Sequence, residues 1–193
     1  MARRVCVIEG HPEAGAGHFC DALAAAYARG AEAAGAEVVR LALPAIAPEP
    51  LGGEAEFATA PEGPMATARA EVAAADHLVI VFPLWLGGMP ARLKAFFEQL
   101  ARAGFALEPA ETGWPVQKLK GRSARIVVTM GMPAIAYRVW FLNCGVSVLR
   151  RMILGLAGVG PIRQTTIGGV GGLSDASARR RLARMERLGR ALR

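Results

Sequence analysis

Residues 77–100 constrain the fold of this chain more than any other stretch. Leu78–Phe82 is an uninterrupted apolar run, rich in β-branched residues and short enough to be a strand buried on both faces. Pro83 ends the run, because proline cannot donate to a sheet ladder. A turn with aromatic and glycine residues follows, and Pro90 then suits the first turn of an amphipathic helix. A buried strand that leads through a loop into a helix predicts a sheet with helices packed on it.

The rest of the sequence alternates strand and helix patterns. The predicted strands are 5–8, 37–43, 77–82, 123–129 and 163–167. The predicted helices are 18–34, 65–75, one that begins at Pro90, 135–155 with a kink or break at Gly145, and 174–192. Residues 44–64 and 102–123 predict irregular connections. This alternation predicts an α/β protein, with one domain over residues 1–193 and a doubly wound five-stranded parallel sheet that carries helices on both faces.

The composition is typical of a folded globular domain, with 53% hydrophobic and 20% charged residues. Prolines and glycines interrupt the longest apolar runs, 78–91 and 152–162, so neither run predicts a membrane span. The first residues lead into a strand and show no signal-peptide pattern, which predicts a cytoplasmic protein. Cys6, Cys20 and Cys144 are odd in number and far apart, so we expect neither a disulfide framework nor a metal site.

The formal net charge of +7 is concentrated in the last segment of the sequence. Residues 179–193 contain seven arginines and one acidic residue, Glu186. Because charge is nearly balanced elsewhere, we do not expect a nucleic-acid-binding protein. A solvated helix face is the simpler interpretation of these arginines. A patch for phosphate-bearing partners or for an anionic membrane surface is the alternative.

Three loops are candidates for a ligand site. In a doubly wound sheet with the strand order 2-1-3-4-5, the loops after strands one, three and four lie side by side at the carboxyl edge, where open α/β sheets bind ligands. These loops are 9–18, 83–90 and 129–137. The first offers His11, His18 and two glycines before a helix, which suits a phosphate group. Two loop histidines without a ligand are the alternative.

The second loop suits a planar ring. Trp85 supplies an aromatic face between two leucines, and the backbone of Gly87 and Gly88 supplies hydrogen-bond donors. The alternative for Trp85 is a position that caps the core beneath the following helix.

The third loop and the helix after it add polar groups beside the same ring. Thr129 supplies a hydroxyl, and Gly131 supplies open backbone between two methionines. Tyr137 lies about one turn into the next helix, where its hydroxyl could bond a reduced cofactor or a substrate carbonyl. A position at the edge of the core is the alternative for Tyr137.

Four segments together resemble the flavodoxin-like NAD(P)H:quinone oxidoreductases. They are His11-Pro12 with Phe19 through Leu23, Pro83 through Lys94, Leu119 through Ala124, and Thr129-Met130-Gly131. The segment 83–94 is the most specific of the four. The resemblance implies a flavodoxin-like fold and a non-covalently bound FMN or FAD. It also implies NAD(P)H as the hydride donor, a quinone or similar acceptor, and a homodimer with the active site at its interface.

The resemblance implies roles for individual residues. The flavin phosphate and ribityl chain would be surrounded by His11, His18, Phe19 and Cys20. The isoalloxazine ring would be lined by Pro83, Leu84, Trp85, Leu86, Gly87 and Gly88, and at its other edge by Thr129, Met130 and Gly131. The catalytic residues would be Tyr137, near the N1/O2 end of the ring, and Asn143.

Three of these positions depart from the family pattern. His18 stands in place of a phosphate-binding serine, Leu86 in place of a second tryptophan, and Asn143 in place of a histidine. We expect these departures to change flavin binding or reaction rate more than fold. The alternative function is a regulatory or binding subunit for a membrane transport protein or another partner, motivated by the arginine-rich terminal helix.

Overall fold

The computed structural model describes residues 2–15, 17–108, 110, 113 and 115–192. The strands are β1 Arg4–Glu9, β2 Glu37–Ala42, β3 His77–Pro83, β4 Leu107–Glu108, β5 Val116–Gln117, β6 Ser123–Thr129 and β7 Ile162–Ile167. Five of them form one parallel sheet in the order β2-β1-β3-β6-β7, and β4 pairs with β5 in an antiparallel ladder. The predicted fold class and strand order are therefore confirmed.

Eight α-helices are described in these parts of the chain. They are α1 Phe19–Glu32, α2 Leu43–Ile46, α3 Glu54–Phe57, α4 Gly63–Ala74, α5 Ala91–Ala101, α6 Ala134–Val139, α7 Cys144–Ser147 and α8 Asp175–Arg190. A π-helical segment, Val148–Gly155, continues α7. Among the described residues, no helix has both the length and the apolar character needed to cross a bilayer.

Three stretches differ from the sequence prediction. The crossover expected to be irregular contains the short helices α2 and α3, and the long loop 102–123 contains the β4–β5 pair. The helix expected over 135–155 is divided, and its break lies at 140–143, where Leu142 and Asn143 have positive φ angles. Gly145 lies inside α7. Of the predicted loop and helix residues, Ala16, Pro109, Trp114 and Arg193 lie outside the described residues.

Each face of the sheet buries its own apolar layer. On one face, α1 and α8 cover Val5, Val79 and Val127 with Leu23 and Met185. The opposite face is covered by α4, α5, α7 and the π-helical segment, whose buried residues include Val72, Leu93, Phe96, Val146 and Leu149. Strand residues therefore alternate between two cores, as expected for a parallel sheet buried on both sides.

Helices α1 and α8 approach each other backbone to backbone. A Cβ atom at Gly30 would overlap the Glu186 carbonyl group, and one at Gly189 would overlap the Tyr27 carbonyl oxygen. Only glycine leaves room for this distance between two helices. The last helix is thus fixed directly on the first.

A buried polar group lies at the amino end of β3. The His77 side chain is enclosed, with its Nε2 3.0 Å from the Tyr27 hydroxyl and its Nδ1 2.8 Å from the Ser123 hydroxyl. Burial, helped by the positive charges of Arg3, Arg125 and Arg163, lowers the pKa of His77 to about 4. This imidazole is therefore neutral in the folded protein at pH 7.

Candidate functional site

The three predicted loops leave adjacent strands at the same edge of the sheet. Backbone hydrogen bonds continue the ladders past the strand ends, since the Gly10 N–H donates to Val81 at 2.7 Å and the Leu84 N–H donates to Thr129 at 2.7 Å. The loops after β1, β3 and β6 therefore begin in register. This is the edge at which an open α/β sheet binds ligands.

The loop after β3 is a tight two-residue turn. The Trp85 N–H donates to the Gly88 carbonyl at 2.9 Å, and the Gly88 N–H donates to the Trp85 carbonyl at 3.0 Å. Leu86 and Gly87 occupy the tip with φ angles of 46° and 81°. Leucine is strained in this left-handed region, yet the Leu86 side chain is fully exposed, so no contact within the described chain explains it.

Tyr137 and α7 hold this turn from beneath. The Tyr137 hydroxyl donates to the Gly87 carbonyl at 3.1 Å and accepts from the Val146 N–H at 3.2 Å. Burial raises the pKa of the Tyr137 hydroxyl above its usual range. A Cβ atom at Gly145 would overlap the Gly87 carbonyl oxygen. The described structure thus gives the Tyr137 hydroxyl a role in positioning the turn, and a contact between it and a cofactor stays a prediction.

The loop after β1 carries a cluster of polar rings. The imidazoles of His11 and His18 stack with their centroids 3.7 Å apart, and His11 meets the Trp85 ring edge-on at 5.9 Å. The His18 Nε2 lies 3.7 Å from a carboxylate oxygen of Glu13. His18 is also the residue that precedes α1, and its side chain makes no capping bond there. The Asp21 and Ala22 N–H groups donate to the His18 carbonyl. The N–H groups that precede them at the start of a helix have no partner four residues back and can meet an anion.

Several predicted site residues lie under these loops. Cys20 and Thr129 are both buried, with the Cys20 sulfur 3.2 Å from the Thr129 hydroxyl, and burial raises the pKa of Cys20 to about 11. Met130 belongs to the core on the α5 side of the sheet, and Phe19 is half-buried against the core on the α1 side. Pro83 is the last residue of β3, and Leu84 packs against the core from the start of the turn. These residues support the loops from below.

Asn143 belongs to a neighbouring cavity. Its side chain lines a space of about 530 Å³ together with two arginines, Arg138 and Arg150, and with Gln164 and Thr166 of β7. None of the residues of the turn after β3 lines that space. The structure brings His11, His18 and the turn together and places Asn143 to one side.

Sequence reasoning missed the parts played by Glu13 and Gly145. The sequence analysis assigns no role to Glu13, although the spacing His-x-Glu-x4-His places three potential ligand atoms in one short loop. Gly145 was interpreted as a helix breaker, and its actual role depends on a contact with Gly87, far away in the sequence.

The open backbone of the loops fits a flat ligand with a phosphate tail. Apart from the adjacent residues in the chain, no described residue has an atom within 4 Å of the Cβ positions built on Gly87, Gly88 and Gly131, so a ring could rest against these backbone groups. Trp85, 48% exposed, offers an apolar surface beside them. Gly15 and Gly17 are equally open near the start of α1. The residues present therefore fit a flavin mononucleotide.

Curated relatives match part of this chain in sequence, and solved structures match nearly all of it in fold. The FMN-dependent NADH:quinone oxidoreductase 1 of Jannaschia sp. (strain CCS1) is 48% identical over 62 residues, which is 32% of each chain. The chain spans a third to a half of the length of the curated relatives it matches.

Two solved structures align over nearly the whole fold. The NAD(P)H:quinone oxidoreductase from Methanothermobacter marburgensis gives a TM-score of 0.81 at 19% identity, over 100% of this chain and 96% of that one. An FMN-dependent NADH-azoreductase from Bacillus anthracis, solved with FMN, gives 0.76 at 15% identity over 98% and 99%. At such identities the likeness shows the fold. A family model described as Flavodoxin-like fold matches residues 3–188, and with the strand order and the loops at the carboxyl edge it places this chain in the flavodoxin-like fold family.

Proposed function

We propose that this chain is an FMN-dependent NAD(P)H:quinone oxidoreductase. The observation that carries the proposal is the bare turn after β3. It exposes Trp85, Leu86 and the Gly87-Gly88 backbone next to the amino end of α1, at the edge between β1 and β3. A planar ring and an anionic tail would fit this pair of features together. The names of the curated relatives support FMN and a quinone acceptor, and they favour an enzyme over a partner-binding subunit.

Each part of the site has a separate task in this proposal. The turn would contact one face of the ring through Leu86 and Trp85, and Gly131 would leave space at its edge. His18 and the first N–H groups of α1 would bind the phosphate. The flavin supplies the redox chemistry, accepting a hydride from the nicotinamide and passing it to the acceptor. The protein orients the ring and keeps its position fixed through Tyr137.

A homodimer is part of the proposal. The segment 135–142 exposes a series of large apolar side chains beside the site: Ile135, Val139, Trp140, Phe141 and Leu142. A contiguous apolar surface of this kind is typical of an interaction site. Association through it would cover the open side of the cleft. A single-domain chain and a cytoplasmic location stay predictions from the sequence.

The test combines flavin uptake with one pair of variants. Purified protein mixed with FMN should show flavin absorbance after gel filtration and should oxidise NADH or NADPH when a quinone is added. Trp85→Ala should weaken FMN binding about 2–10-fold, since an aromatic contact contributes about 0.5–1.5 kcal/mol. Phe57→Ala, which removes an equally exposed aromatic residue from α3, should leave FMN binding unchanged. Failure of the protein to take up FMN or FAD would overturn the proposal.

A further inference from the structure

We propose that His11, Glu13 and His18 form a binding site for a divalent first-row transition metal ion, with Zn²⁺ as the reference ion. The candidate ligand atoms of the three side chains all lie within 4.8 Å of one another. The His18 Nε2 and the Glu13 carboxylate are already 3.7 Å apart. This site goes beyond the proposed flavin chemistry, which needs no metal. Because His18 is also proposed to bind the flavin phosphate, the metal site belongs to the flavin-free protein, and the ion and the flavin would compete for this side chain.

The donor set matches the chemistry of Zn²⁺. Two imidazoles and one carboxylate are a common set of three protein ligands, which leaves a fourth position open. Ligand atoms about 2.0–2.2 Å from a tetrahedral ion stand about 3.3–3.5 Å from each other. The 3.7 Å separation of His18 and Glu13 is close to this range. The two imidazoles are stacked with their centroids 3.7 Å apart and their planes 19° apart. Because an ion lies in the plane of each imidazole that binds it, both side chains must rotate until their nitrogens point at one position.

The local geometry allows that adjustment. Glu13 is 70% exposed, so its side chain can turn without displacing packed neighbours. The Glu13 N–H donates to the His11 Nδ1 at 3.3 Å, a long bond whose loss on metal binding costs little. Gly15 and Gly17 lie between Glu13 and His18 with φ angles of 134° and 119°, and no neighbour crowds either one. The Glu13 side chain can therefore turn toward the two imidazoles.

The surroundings favour a cation. A cavity of about 370 Å³ beside His11 is lined by three carboxylates, those of Glu9, Glu13 and Asp21, and by no lysine or arginine among the described residues. Glu9 is paired with Arg40, and Arg92 donates to the Pro12 carbonyl on the other side of the loop, so Glu13 and Asp21 are the carboxylates left to face this cavity. A doubly charged cation at the His11–His18 pair would gain from both carboxylates.

The remaining histidine and the cysteines of the chain do not compete for the ion, because each is buried or can be replaced. His77 is the third and last histidine, and both of its ring nitrogens have buried partners. Cys6 and Cys20 are buried, whereas Cys144 is exposed and can bind Zn²⁺ through its thiol. A Cys144→Ser background removes that competing group. Histidine-dependent binding in this background then comes from His11 and His18.

The experiment is calorimetric titration of flavin-free Cys144→Ser protein with ZnCl₂. We expect binding of one ion per chain. Glu13→Gln and His18→Asn should each weaken it by at least about 10–100-fold, the loss typical even for an outer partner of a metal ligand. Glu62→Gln is the matched control, because Glu62 is an exposed carboxylate whose side chain caps nothing, and it should bind Zn²⁺ like the parent.

A second measurement follows the ring beside the site. Ni²⁺ held at His11 should quench the fluorescence of Trp85, whose ring is 5.9 Å from that of His11, and Trp85→Phe should lose most of the quenching. Circular dichroism checks that the variants are folded. Absence of one-to-one binding, or an affinity of Glu13→Gln and His18→Asn equal to that of the parent protein, would overturn the proposal. Because the protein carries no flavin in these titrations, either outcome leaves the oxidoreductase proposal to its own test.

Discussion

The loops after β1 and β3 lie side by side but are built in different ways. The turn after β3 is closed by two backbone hydrogen bonds and is fixed from below by Tyr137 and α7. The loop after β1 contains two uncrowded glycines with positive φ angles, and its contacts are between side chains: His11, Glu13 and His18. The turn after β3 is thus rigid and apolar, and the loop after β1 is adaptable and charged.

Because of this difference, the two loops suit different tasks in the site. A rigid turn can position the plane of a ring, whereas an adaptable polar loop can adjust to an anion or a cation. The residues that fix the turn, Tyr137 and those of α7, also pack in the core. Changes in these residues should therefore reduce both the free energy of unfolding and the affinity for the ring. Changes in the loop after β1 should affect binding alone.

The largest effect is expected from a change of pH. It should lower the free energy of unfolding of the whole fold, and so affect both loops equally. His77 has a pKa of about 4 when folded and near 6.5 when unfolded, so the unfolded chain takes up the proton first as pH falls. The stability present above pH 6.5 should decline between pH 6.5 and 4 by about 3 kcal/mol. Urea denaturation across this range measures it. In His77→Gln that part of the pH dependence should disappear, and a decline of the same size in His77→Gln would contradict the assignment.

Gly145→Ala should have the next largest effect, and it should affect the turn after β3 and not the loop after β1. Its added methyl group would overlap the Gly87 carbonyl oxygen, so α7 or the turn must move. We expect a loss of about 1–3 kcal/mol in the free energy of unfolding, although alanine is the better helix residue. Gly131→Ala is the control, since no neighbour lies within 4 Å of its Cβ position. Equal stability of the two variants would show that the turn is not held by α7.

Tyr137→Phe should lower stability by about 1–3 kcal/mol, because the Gly87 carbonyl and the buried Val146 N–H each lose a partner. It should also weaken FMN binding by loosening the turn. Tyr27→Phe is the matched variant, since its buried hydroxyl lies 3.0 Å from His77 at the opposite end of β3. This second variant should lower stability and leave FMN affinity unchanged. A loss of FMN affinity in both variants would mean that FMN binding depends on the stability of the whole fold and not on the position of the turn.

Leu86→Asn should have a smaller effect on stability than these variants, and of the opposite sign. Asparagine tolerates the left-handed conformation at the tip of a two-residue turn, and the exposed leucine loses no burial. Stability should rise by about 1 kcal/mol in urea denaturation, while FMN affinity falls if Leu86 contacts the ring. Unchanged FMN affinity would remove Leu86 from the proposed site.

Glu13→Gln is the corresponding variant in the loop after β1, and it should have the smallest effect on stability. Its ion pair with His18 is exposed, so stability should change by less than about 0.5 kcal/mol. A larger loss would mean that this loop, too, is coupled to the core.

The sequence predicted the five main strands and the three loops because their signals are local. Leu78–Phe82 is apolar without interruption, and prolines and glycines mark the loop ends. The partners of Tyr137 were beyond reach, since its hydroxyl bonds to Gly87, which is 50 residues away. The true break at 140–143 was missed because Leu142 and Asn143 adopt positive φ angles without a glycine to mark them. Contacts of this kind depend on the folded arrangement and leave no periodic pattern.

The backbone contact between α1 and α8 has a consequence for how the chain folds during synthesis. Gly30 and Gly189 belong to one interface although almost the whole chain separates them. The face of α1 that carries Gly30 therefore stays without its partner helix until the ribosome has made residues 182–189. A nascent chain stalled before this point should be cut readily by protease within α1, and one stalled well beyond it should be protected.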